Sequence, residues 1–419
     1  MAHIKRKRRL VYVLAMMSAL TFILPFKSSL ETRQSQSLVV GIEQGTELGS
    51  SSNRENWLAD YIIQHKRGIG RLKGGKRVKT LVFTCHQGCG GTGDRMSAVA
   101  SAFYAAVSLK RTFLIDYTNP VPLNLTLVPN NVDWDNVHLV SESATSKTVH
   151  VMDTADPMSA FGTLIKSHDS DVDTLRLQAN GYFIGMTLWT PSIYSQPITR
   201  EFRHIGSMYR LHLRHHYRSL TTAESFHLAF HTLFNFSDEV EKRAQSMLNE
   251  IGLSFDSDFI GIHARIGGKV ENSKHTAQWT DPERHSLDDI DAFLKCYRIK
   301  ANSSGHSGAC VLFSDSIEFK EKTSSVDPQV KYIPSTTLVH VDRSDGADDI
   351  IRRGNIDVHA ELYLLSKSSC IIGSHSTFSG LAAVIARQIK PCFVIFDECT
   401  DPDSYVDYFE RAERNKLRF

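Results

Sequence analysis

The sequence predicts an α/β protein of two Rossmann-like halves, each a parallel sheet covered by helices, facing one another across a cleft. Three observations lead there. Short apolar runs alternate with segments of helical periodicity in two separate blocks, and a mostly helical stretch, 202–252, joins them. Glycine, hydroxyl and charged residues gather just after the apolar runs, where ligands bind to open parallel sheets. The runs are continuous rather than alternating, as strands buried on both faces should be. At 419 residues the chain suits two compact domains better than one.

In chain order, Lys5, Arg6, Lys7, Arg8 and Arg9 precede an uncharged stretch, 10–26. Basic residues before an apolar run of near-spanning length predict a single-pass anchor with a cytosolic tail, 1–9, and a lumenal remainder. The flank Phe26-Lys27-Ser28-Ser29-Leu30 makes a poor signal-peptide cleavage site. Residues 27–76 are polar and read as a stem with one short helix, 56–64.

The first half, 77–252, opens with the apolar run KTLVFTC, a strand, followed by a helix over 96–109 and a second strand, RTFLIDY. NVHLV and TVHVM are expected as further short strands. FHLAFHTLF and DEVEKRAQSMLNEIG are expected as helices. The second half, 253–419, alternates more sharply. Its strands are DFIGIHAR, ACVLFSD, LVHV, CIIG and CFVIF. Its helices are SLDDIDAFLKCYRIK with Ser286 as N-cap, SIEFKEKTSS, DVHAELYLLSKS capped by Asp357, and FSGLAAVIARQ.

Charge and composition narrow the function. The formal net charge is +2 and the N-terminal tail carries five of the basic residues, so the remainder is near neutral and gives no footprint for a nucleic-acid partner. Seven cysteines allow pairs such as Cys85 with Cys89, Cys392 with Cys399, or Cys296 with Cys310, and leave an odd thiol. Sequons at Asn124, Asn235 and Asn302 agree with a lumenal location.

Four strand exits carry the candidate chemistry. The first reads Cys85-His86-Gln87-Gly88-Cys89-Gly90-Gly91-Thr92-Gly93-Asp94-Arg95. Its glycines let backbone approach a ligand, the helix that follows offers free N–H groups, and Arg95 adds charge. The spacing is not that of an ATPase phosphate loop. The second reads His263-Ala264-Arg265-Ile266-Gly267-Gly268-Lys269-Val270-Glu271. A planar guanidinium at a strand end suits a diphosphate and offsets its charge as it departs. The third is Phe313-Ser314-Asp315-Ser316, an acidic exit able to hold ribose hydroxyls or base N–H groups, or simply to cap a helix. The fourth, Gly373 to Gly380, sets Ser374, Ser376, Thr377 and Phe378 before a helix, as an anion pocket or again as a cap.

In this order the segments resemble the superfamily of α1,2-, α1,6- and protein-O-fucosyltransferases. Gly90 to Arg95 is similar to the family's early Gly-rich loop, with Asp94 where an Asn is usual. His263-Ala264-Arg265 resembles its H-x-R motif, with Ile266 in place of the second Arg of the α1,6 members and Lys269-Val270 in register. Phe313 to Ser316 and Ser374 to Gly380 resemble its second and third motifs. The resemblance implies a GT-B fold, GDP-fucose as donor, no metal or other cofactor, and an inverting transfer to a glycan or glycoprotein acceptor. It implies that Arg265 binds the donor's β-phosphate. With help from Lys269 it would offset the leaving charge, and Glu271, or else Asp94, would serve as general base. Residence in the Golgi membrane as a type II protein follows as an expectation, with the endoplasmic reticulum as the alternative.

Two other classes remain open on the residues alone. Asp133-Trp134-Asp135, Asp171-Val172-Asp173 and Asp256-Ser257-Asp258 each match the Asp-x-Asp pattern of metal-dependent GT-A glycosyltransferases. An inactive, membrane-anchored carbohydrate-binding relative would carry the same strand exits without turnover. The His-rich run around His212, His215 and His216 lacks the further ligands of a zinc site.

Overall fold

Folding begins earlier than the stem reading allows. Helix α1 (Trp57–Lys73) repeats Tyr61, His65, Ile69 and Leu72 along one face, and all four are buried. The Tyr61 hydroxyl donates to the Arg111 carbonyl at 3.0 Å. Ile69 and Leu72 pack with Val82 and Leu114 on one face of the first sheet. The last part of 27–76 therefore belongs to the folded body. The computed structural model describes residues 57–86, 89–141, 145–150, 172–179, 222–267, 284–304, 308–337, 347–386 and 392–399. All lie in one unit, Ser52–Phe419. No helix among them is long and apolar enough to cross a membrane, and the expected anchor, 10–26, lies outside them.

Strand β1 (Thr80–Cys85) has six buried residues in a row and feeds α2 (Thr92–Ser108). Then come β2 (Thr112–Tyr117), the short β3 (Leu127–Pro129), β4 (Ser146–His150) and β5 (Thr174–Gln178). The parallel sheet runs β2-β1-β5-β4. NVHLV is not a strand: Val137–Leu139 is a 3-10 turn. Its apolar residues instead flank the small core under α1. Strand β5 was not expected, because Arg176 and Gln178 interrupt its apolar run.

The helical bridge is α3 (Thr222–Leu233), a short β6 (Phe234–Phe236) paired antiparallel to β3, and α4 (Asp238–Glu250). Ser237 caps α4 by accepting from the Val240 amide. Two imidazoles of α3 reach the second half. His227 Nδ1 lies 2.7 Å from the Val384 carbonyl, and His231 Nε2 lies 3.1 Å from that of Ile385. These carbonyls lie in the last turn of a helix, Thr377–Ala386, where the helix itself supplies no donor.

The second half comprises β7 (Phe259–Ala264), α5 (Ile290–Ser304), β8 (Ala309–Ser314), α6 (Ile317–Val326), β9 (Val330–Tyr332), α7 (Asp348–Lys367), β10 (Cys370–Gly373), α8 (Thr377–Ala386) and β11 (Phe393–Ile395). All neighbours are parallel in the order β11-β10-β7-β8-β9. The chain leaves β7 toward β8 and β9, then returns to β7's other side with β10 and β11. That reversal places a crevice at the ends of β7 and β10. The expected strand LVHV lies outside the described residues, and Val330–Tyr332 forms the third strand of this half. Helix α7 starts at Asp348, not at Asp357. Asp357 is buried within it, accepting from Arg243 at 2.6 Å and from the Thr337 amide at 2.7 Å.

Three disulfides close the described structure: Cys85–Cys89, Cys296–Cys399 and Cys370–Cys392. The first is one the spacing allowed. Cys296 and Cys392 choose other partners, and Cys310 is a buried thiol.

Candidate functional site at the β7 and β10 exits

Three strand exits of the second half are sewn together by polar groups. Ser374, fully buried after β10, accepts from the Arg265 amide at 3.0 Å through its hydroxyl. Its own amide donates to the His263 carbonyl at 2.9 Å. Asp315, just past β8, accepts from the Ile266 amide at 2.7 Å and the Gly267 amide at 3.0 Å. The same carboxylate meets the Arg265 guanidinium at 2.6 Å. Gly267 turns the chain at φ +81°, a conformation that costs glycine little and other residues much. The turn after β7 is thus clamped between its two neighbours, and Arg265 leaves it partly exposed. A carboxylate taking two amides and a guanidinium fixes position strongly, because charge-assisted bonds are the short, strong ones.

His263 points inward. Its Nδ1 shares a hydrogen at 2.6 Å with Ser379 of α8, and its ring packs against Phe378 with centroids 4.9 Å apart. Burial, then the charges of Arg265, Lys320 and Arg284, push its pKa down to about 3. A neutral imidazole so placed orients the strand end and the start of α8. Ser379 was not singled out from sequence, since a hydroxyl one turn into a helix carries no signal of its own. Arg284 was missed too. Its amide donates to the Ile266 carbonyl at 2.8 Å, and its guanidinium approaches the His375 carbonyl at 3.4 Å, placing a second cation beside the turn.

The other predicted residues divide by what they touch. Ser376 is buried and takes the Phe378 amide at 3.3 Å, and Ser316 caps α6 through the Phe319 amide at 3.2 Å. Both hydroxyls shape helix starts. Gly268, Lys269 and Glu271 lie outside the described residues.

The Gly-rich loop corrects two expectations. Arg95 is wholly buried. Its guanidinium donates to the Gly90 carbonyl at 2.6 Å, the Tyr117 hydroxyl at 2.7 Å and the Asn119 carbonyl. It therefore holds the loop from inside and is closed to a ligand. Asp94 is the third residue of α2 and accepts the Gly91 amide at 3.3 Å, closing the helix start rather than standing ready as a base. Gly90, at φ +82°, turns the loop, and Gly91 is the N-cap of α2. Gly93 serves close approach. A Cβ there would sit 2.5 Å from the Thr377 backbone. The starts of α2 and α8 thus touch, which brings the Gly-rich loop of the first sheet to the Ser-rich turn of the second.

No family model matches the sequence, and no curated protein is similar to it. Among solved structures, the chain is similar to a mutant of Arabidopsis thaliana FUT1 in complex with GDP. Identity is 16%, coverage is 81% of this chain and 78% of that chain, and the TM-score is 0.51. The fold, mixed α/β with parallel sheets, is like that of this solved structure. NodZ alpha-1,6-fucosyltransferase soaked with GDP-fucose is similar at 16% identity, covering 77% of this chain and 97% of that one, with a TM-score of 0.45. Fucosyltransferase NodZ from Bradyrhizobium follows at 17% identity, 76% and 96% coverage and a TM-score of 0.45.

Among the described residues of the Asp-x-Asp pairs, Asp173, Asp256 and Asp258 stand away from the strand exits. Asp173 precedes β5 and pairs with Arg77. Asp256 and Asp258 precede β7. Both places are at the N-terminal edge of a parallel sheet, away from the ligand edge. Asp135 accepts from Asn124 at 2.9 Å, and Asp133 lies 3.9 Å from Lys73. The metal-dependent GT-A reading is not favoured.

Proposed function

We propose that this chain is an inverting fucosyltransferase that moves fucose from GDP-fucose to a hydroxyl of a glycan or glycoprotein. One observation carries the reading: Arg265 is held at the strand-order reversal, with its amide on Ser374 and its guanidinium on Asp315, beside the start of α8. Fixed positive charge at that point suits a departing diphosphate, and preorganised charge lowers the barrier without later rearrangement. The acceptor oxygen attacks the fucose anomeric carbon as its bond to the diphosphate breaks, and GDP leaves with the electron pair. Arg265 meets the new charge, with Arg284 and Lys269 as further cations. Guanidinium and helix-start amides do here what a bound metal would otherwise do, so the proposed reaction needs no metal. Of the two earlier candidate bases, Asp94 is occupied in its own loop. Glu271 lies outside the described residues.

The proposal includes a Golgi type II placement, with 10–26 as the anchor and the catalytic part lumenal. Three disulfides among the described residues support an oxidising compartment. The test is a donor panel: purified protein lacking 1–51, offered GDP-fucose, GDP-mannose and UDP-sugars, with nucleotide release as the readout. Release from GDP-fucose alone, unchanged by EDTA, is expected. Preference for a UDP-sugar, or loss of release with EDTA, contradicts the reading.

A further inference from the structure

The first sheet has a reversal point of its own, between β1 and β5, and a polar cluster stands at its C-terminal edge. His86 directly follows β1, and its Nε2 lies 3.1 Å from the Asp116 carboxylate on β2. Arg176 on β5 donates to the same oxygen at 3.1 Å. Thr84 is aligned with Asp116 across β1 and β2, so the two side chains share a face. Its buried hydroxyl has no partner among the described residues. Asp116 is mostly covered, at 17% exposed, whereas His86 is 52% exposed. A covered carboxylate, fixed by a guanidinium, thus holds an open imidazole.

Such a pairing sets the imidazole's chemistry. The Asp116 carboxylate lies against Nε2, so a neutral ring with its proton on that nitrogen carries its lone pair on Nδ1. No described residue takes that Nδ1. Seven residues further on, Gly93 touches Thr377 of the second half. The edge bearing His86 therefore adjoins the turn that carries Arg265. A largely exposed imidazole against a mostly covered carboxylate is the arrangement by which a carboxylate orients a base.

We propose that His86 is the general base of the transfer, with Asp116 and Arg176 as its positioning residues. The inference rests on the fucosyltransferase reading and adds a catalytic residue to it. As the acceptor oxygen bonds to the anomeric carbon, its proton passes to His86 Nδ1. The carbon–phosphate oxygen bond breaks, and GDP takes the electron pair. The imidazolium, stabilised by Asp116, then releases its proton to solvent.

The test uses GDP-fucose with water as acceptor, since hydrolysis also needs a proton removed. His86→Ala should bind GDP as the wild type does and release GDP from GDP-fucose about 100-fold more slowly or worse. Sodium azide, a nucleophile with no proton to lose, should restore GDP release and yield fucosyl azide. Asp116→Asn should show a smaller loss with the same azide response. Wild-type release without azide in His86→Ala, or a loss that azide leaves untouched while GDP still binds, overturns the inference. Failure of the wild type itself to bind GDP or consume GDP-fucose marks failure of the underlying reading, before any substitution is made.

Discussion

The C-terminal edges of the two sheets follow opposite rules. At β7, β8 and β10 the polar groups are spent inside: Ser374 and Asp315 take backbone amides, Ser379 holds His263, and Arg265 emerges. At β1, β2 and β5 the cluster of His86, Asp116 and Arg176 leaves an imidazole half in solvent. Among the described residues the first edge is held together without a ligand, as suits the diphosphate of the proposed reaction. The second, among the described residues, leaves His86 open, as suits the acceptor hydroxyl of the proposed reaction. Preorganisation belongs where charge develops, because there it acts without reorganisation.

The contrast is open to breaking. Its largest expected consequence is that Arg265→Ala lowers GDP-fucose turnover at least about 1,000-fold, the scale of a lost charge-stabilising group. The variant should keep its circular dichroism spectrum, since the Arg265 side chain is partly exposed; near-normal turnover would break the contrast. Next in size, Asp315→Ala should weaken GDP binding about 10-fold or more, because two amides and Arg265 lose one shared acceptor. Asp315→Asn, which keeps one oxygen acceptor, should fall between; equal affinity in all three proteins would show that the clamp is idle.

Gly93→Ala tests whether the two edges depend on touching. A methyl group there meets Thr377 backbone, which cannot swing aside, so stability should fall by about 1–3 kcal/mol in chemical denaturation. An unchanged midpoint would mean that the helix starts separate freely. The smallest effect concerns the buried histidines. Burial pushes His263 down to about 3, and His65 and His359 to about 4. The unfolded chain takes up these protons below about 6.5 and the folded one does not. Stability is therefore full above that value and declines as pH drops from about 6.5 toward 4. Denaturation at pH 7 and pH 5 should show the decline, and His359→Gln should lessen its slope; a flat profile would contradict the burial argument.

Much of this was legible in the sequence, and the failures have physical causes. Strands β1, β7, β8 and β10 are runs buried on both faces, so their composition alone marks them. Strand β5 was hidden because Arg176 and Gln178 interrupt its apolar run, and the start of α7 because its first turns carry Asp348, Asp349, Arg352 and Arg353 before the apolar pattern begins. At the site, residue types announced the strand exits but not the direction of each side chain. Arg95 and Arg265 look alike in sequence, each beside glycines after a strand. One is wholly buried against Tyr117 and Asn119, and the other emerges from its clamp. Only packing separates them.

Calorimetric titration of GDP into three proteins, the wild type, Arg265→Ala and His86→Ala, tests the division of labour most directly. Arg265→Ala should lose at least about tenfold in affinity, or 1.4 kcal/mol, while His86→Ala matches the wild type. Undiminished GDP binding by Arg265→Ala would contradict the assignment of the second sheet's edge to the donor.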